Sequence, residues 1–133
     1  MNTILTIMVM LQEVWIIDSS GILLIYAHDP KLKQKSKVDP QLFSGIFGAL
    51  NMLSNKAMDA IIMNDSKLLI VPGDKFHVIG RASRKARDKR IHSILESIHK
   101  GFMEEWGDQI ETWIGNADEF DSYREHIVKT YFS

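Results

Sequence analysis

The chain has 133 residues, 45% of them hydrophobic and 25% charged, with a formal net charge of -1 and no cysteine. That length and balance fit one globular domain spanning 1–133 and speak against nucleic acid as the main partner. The absence of thiols excludes a disulfide framework, a thiolate metal site, a cysteine nucleophile and a thioester lipid anchor, and makes a cytoplasmic setting the default expectation.

Met1 to Gln12 is apolar and uncharged. It falls short of the roughly 20 residues that a spanning helix needs, and it lacks the basic start and small-residue cleavage site of a signal peptide. The expectation is that residues 1–10 extend the first strand or form a disordered start. Residues 12–18 (QEVWIID), the turn Ser19-Ser20-Gly21 and residues 22–27 (ILLIYA) read as a β-hairpin: two runs rich in β-branched and aromatic residues around a turn that tolerates unusual backbone angles. The second run is apolar throughout and predicts cover on both faces of the sheet. A lysine-rich loop (Lys31, Lys33, Lys35, Lys37) leads to Asp39-Pro40, a helix start.

Residues 41–55 (QLFSGIFGALNMLSN) carry no charge and read as a helix that retains Gly45 and Gly48, each costing about 1 kcal/mol against alanine in a helix interior. At about 100° per residue, Leu42, Phe43, Ile46, Leu50 and Leu53 share one broad face suited to covering a sheet. Gly45, Gly48, Ala49 and Met52 fall off it, with Gly48 directed almost straight away. One reading is that the glycines admit a loop, the chain's own tail, or a kink. The other is that the four residues form a smooth strip against which a partner backbone packs.

Three strand-like runs follow, 58–63, 67–71 and 75–80, separated by Asn64-Asp65-Ser66 and Pro72-Gly73-Asp74, and predict an antiparallel meander. From Ser83 to about Trp106, Ile91, Ile94, Leu95, Ile98, Phe102 and Trp106 recur at helical spacing, with Gly107 as the expected end. A last helix is predicted from Asp118 to about Tyr131, through Phe120, Tyr123 and Ile127. The order β-β-α-β-β-β-α-α predicts an α+β fold, with five antiparallel strands sandwiched between helices.

That order, the opening VWIIDSSGILLIY hairpin, the LFSGIFGALNML helix and the late FMEEWGDQIETW turn resemble the longin domain family, close in shape to roadblock domains. The resemblance implies a longin-like α-β-α sandwich that pairs with itself or with another longin or roadblock domain. It also implies binding or regulation of a small GTPase in membrane trafficking. No heptad-bearing segment or membrane tail follows Tyr131, so a subunit or regulator is expected in place of a fusion protein.

Arg81, Arg84, Lys85, Arg87, Lys89 and Arg90 form a basic run against the single acid Asp88. The plain reading is the solvated first turns of the long helix, a placement that opposes the helix dipole. The functional reading is a contact for an acidic GTPase surface or anionic lipid head groups, which would place the protein peripherally at membranes. Nucleic acid is disfavoured because no aromatics interleave with the cations. His92, Glu96 and His99 lie along one helical flank. A polar rim explains them more simply than a metal site, since HExxH is absent. Neither a recognisable catalytic spacing around His28, His77 and His126 nor a P-loop around Gly73-Asp74-Lys75 is present, so neither enzymatic chemistry nor a cofactor is expected. The competing expectations are a profilin-like or PAS-like ligand sensor and a purely structural subunit.

Overall fold

The computed structural model describes residues 11–31, 43, 60–62, 66–110 and 117–132. Gly45, Gly48, Ala49, Met52 and Trp113 lie outside these residues. The fold is α+β. Strands β1 (Leu11–Asp18), β2 (Leu23–His28), β3 (Ala60–Ile62), β4 (Ser66–Val71) and β5 (Phe76–Ser83) precede helix α1 (Asp88–Ile110), a 3-10 turn (Ala117–Phe120) and helix α2 (Asp121–Tyr131). The strands form one antiparallel sheet in the order β2-β1-β5-β4-β3, so the two chain-distant strands β1 and β5 sit side by side at its centre.

The first hairpin closes because Asp18 organises its own turn: its Oδ1 accepts the amides of Ser20 and Ile22, both at 2.9 Å. Gly21 takes a φ of 90°, a conformation costly for other residues. Within the central strands, successive side chains point to opposite faces, and both faces are apolar. One face carries Val14, Ile16, Leu69, Phe76, Val78 and Ala82, covered by α1 and α2. The other carries Trp15, Ile17, Leu68, Ile70 and Ile79, with Leu23, Tyr26 and Phe43 packed against them.

Helix α1 lies over β4 and β5 through Ile91, Leu95, Ile98 and Phe102, the predicted stripe, while Ile94 and Trp106 are only half-buried. Helix α2 lies over β2 and buries Tyr123 and Ile127. Gly101 lets the helices meet closely: a Cβ there would stand 2.5 Å from the Tyr123 hydroxyl, which donates to the Ile98 carbonyl at 3.0 Å.

The last helix, expected from Asp118, is a 3-10 turn as far as Phe120 and an α-helix only from Asp121, and Ser66, expected in a turn, lies in β4; the boundaries of β5 and α1 differ as well. Strand β5 continues through Ser83 because Arg81, Ala82 and Ser83 pair with neighbouring strands. Helix α1 consequently starts at Asp88, five residues later than expected, and places this acid where the dipole favours it. Gly107 does not stop α1, which runs on to Ile110; the Gly107 carbonyl accepts Lys75 Nζ at 2.9 Å, and the Met103 side chain fills the space beside its Cα. No helix among the described residues is long and apolar enough to cross a membrane.

Candidate functional site

The basic run divides between two environments. Arg81 belongs to β5, and its guanidinium is directed at Glu13 of β1, with Nε at 2.5 Å from Oε1. Glu13 is only 1% exposed. Its other oxygen accepts the Tyr26 hydroxyl at 2.5 Å, so the carboxylate is satisfied from both sides. This arrangement makes Arg81 part of the sheet, whereas Arg84, Lys85, Arg87, Lys89 and Arg90 are exposed on the turn between β5 and α1 and on the first turn of α1.

Lys67 fixes that turn. It reaches from β4, largely buried, to donate to the Ala86 carbonyl at 2.5 Å and the Arg84 carbonyl at 3.4 Å, and it pairs with Asp88. The single acid of the run is therefore committed to an internal cation. Neither Lys67 nor Glu13 stands out from the sequence as a site residue. The available signal was a charged residue inside an otherwise apolar strand, which must find a partner once buried.

At the opposite end of β5, His77 accepts the Gly73 amide at Nδ1 (3.3 Å), and His99 of α1 stacks on Phe76 with ring centroids 4.4 Å apart. Burial lowers the pKa of His77 below the usual imidazole value of 6.5, and the nearby His99 adds to this; Asp18 opposes it. Burial also lowers His99, with the Phe76 carbonyl opposing. His92 turns to Glu96, Nδ1 lying 3.1 Å from its carboxylate, so the His92, Glu96 and His99 flank does not converge on one point. Among the described residues no group of three acidic or imidazole side chains is placed to hold a metal ion.

The two histidines set a pH dependence. Their folded pKa values lie below the unfolded value, so stability is full above about pH 6.5 and declines as the unfolded chain takes up protons below it. Melting temperatures measured from about pH 7.5 to about pH 5 are expected to fall across this window, and His99→Gln should flatten the fall. An equal slope in His99→Gln would contradict the assignment.

A cavity of about 150 Å³ lies between residues 23–26 of β2 and Asp118, Asp121 and Arg124. Small-molecule sites commonly enclose about 300 to 1,000 Å³. No protein-family model and no curated protein sequence matches the chain.

Proposed function

We propose that this protein is a non-enzymatic interaction module of the longin type, a longin-like α-β-α sandwich that pairs with itself or with another longin or roadblock domain and binds or regulates a small GTPase. The observation that carries the reading is a sheet that is apolar on both faces, with helical residues packed on each. Two helices, α1 and α2, occupy one face. On the other, Phe43 is helical and stacks on Trp15 at a centroid distance of 4.4 Å.

Phe43 belongs to the predicted helix over 41–55. On a helix advancing about 100° per residue, Gly45, Gly48, Ala49 and Met52 fall about 120° or more from Phe43. On the predicted helix these four residues form an uncharged strip that suits the close approach of a second domain.

Gly48→Glu places a charge in the centre of this strip. It is expected to lower self-association, or association with a partner domain, by at least tenfold, with a melting temperature within a few degrees of the parent. Unchanged assembly would reject the strip. Pull-down against small GTPases in both nucleotide states separates a regulatory module, which discriminates between the states, from a purely structural subunit, which retains none.

A further inference from the structure

The turn between β5 and α1 and the start of α1 carry a dense run of positive charge among the described residues. Lys67 holds two of the turn's carbonyls and the one nearby acid, Asp88, while Ala86 is buried. Arg84, Lys85, Arg87, Lys89 and Arg90 all remain exposed, and Lys85, Arg87, Lys89 and Arg90 enter no ion pair with the described residues.

An exposed apolar residue stands beside Lys67, which anchors this turn. Ile62, 70% exposed, lies on the edge strand β3. Its cross-strand partner is Lys67, and that of Lys67 in turn is Ala82. Directly paired residues project to the same face, with neighbouring strands about 4.8 Å apart, so Ile62 flanks the residue that anchors the basic turn.

We propose that the exposed cations of residues 84–90, together with Ile62, dock the protein peripherally on an anionic membrane surface. Exposed cations attract acidic head groups additively without requiring a fixed partner geometry, and an adjacent aliphatic side chain enters the boundary between head groups and acyl chains. A tight protein interface would instead need an aromatic or aliphatic cluster fitted to a pocket. No aromatic residue occurs between Arg81 and Arg90. This inference requires only the turn and the β3 edge, and it stands apart from the pairing strip around Gly48.

Sedimentation with phosphatidylcholine vesicles, with and without phosphatidylserine, tests the proposal. The protein is expected to sediment with the phosphatidylserine vesicles alone and to be released by high salt. Each exposed cation contributes about fivefold, so the triple variant Arg87→Gln/Lys89→Gln/Arg90→Gln should bind about a hundredfold more weakly. Ile62→Ser should weaken binding several-fold, and the charge-preserving Arg87→Lys/Arg90→Lys should retain it. These side chains are exposed, so the melting temperature is expected to hold in each variant. Failure of the parent to sediment with phosphatidylserine vesicles, or undiminished binding by the triple variant, would overturn the proposal. Loss on arginine-to-lysine exchange would also overturn it, because binding would then depend on the fixed bidentate geometry of the guanidinium and not on additive charge. None of these outcomes alters the Gly48→Glu result, so membrane docking and pairing fail separately.

Discussion

Phe102→Ala is expected to destabilise the protein by about 3–5 kcal/mol and lower its melting temperature by about 10 °C or more. Phe102 is fully buried and joins three elements. Its ring meets Phe76 of β5 edge-on at 5.0 Å, Phe120 of the 3-10 turn at 5.4 Å and Tyr123 of α2 at 5.3 Å. Truncation removes these contacts and leaves a cavity that rigid neighbours on a sheet and two helices fill poorly. Phe102→Leu, which keeps most of the volume, should cost less than half as much. Thermal or denaturant melting reads both; a loss below about 1 kcal/mol for alanine would mean that this aromatic junction does not hold the helices to the sheet.

Glu13→Ala should cost about 3 kcal/mol, near the lower end for breaking a buried ion pair, because Arg81 keeps 21% of its side-chain surface in water. The loss comes from both partners left behind. Arg81 keeps its charge among apolar neighbours, and the Tyr26 hydroxyl loses its acceptor. Removing both charges in Glu13→Ala/Arg81→Met should recover part of the stability, so the double variant is expected to be more stable than Glu13→Ala alone. A loss in the double variant equal to the sum of the losses in Glu13→Ala and Arg81→Met alone would show that the two residues act independently.

The hydrophobic period made much of this architecture legible. Ile91, Leu95, Ile98 and Phe102 recur at helical spacing, and the turn residues of the first hairpin announce a chain reversal that Asp18 and Gly21 then build. Pairing across long sequence separations was not legible. Glu13 and Arg81 are 68 positions apart, and Lys67 and Asp88 are 21 apart. Nothing local to either residue names its partner. The same limit hid the end of β5, since Arg81-Ala82-Ser83 has no apolar run and is held extended by its neighbours on both sides. Gly107 looked like a stop because glycine commonly ends helices, yet here it serves packing beside Met103. At the candidate surface, the sequence grouped six cations by adjacency; the fold removes Arg81 into an ion pair and leaves five exposed on the turn and the first turn of α1.

The mass in solution, measured by light scattering alone and with a candidate longin or roadblock domain, tests the pairing claim most directly. The account predicts either a species of twice the 15.3 kDa chain mass or a complex with the second domain, lost in both cases on Gly48→Glu. A monomer at every concentration and with every such partner would contradict it.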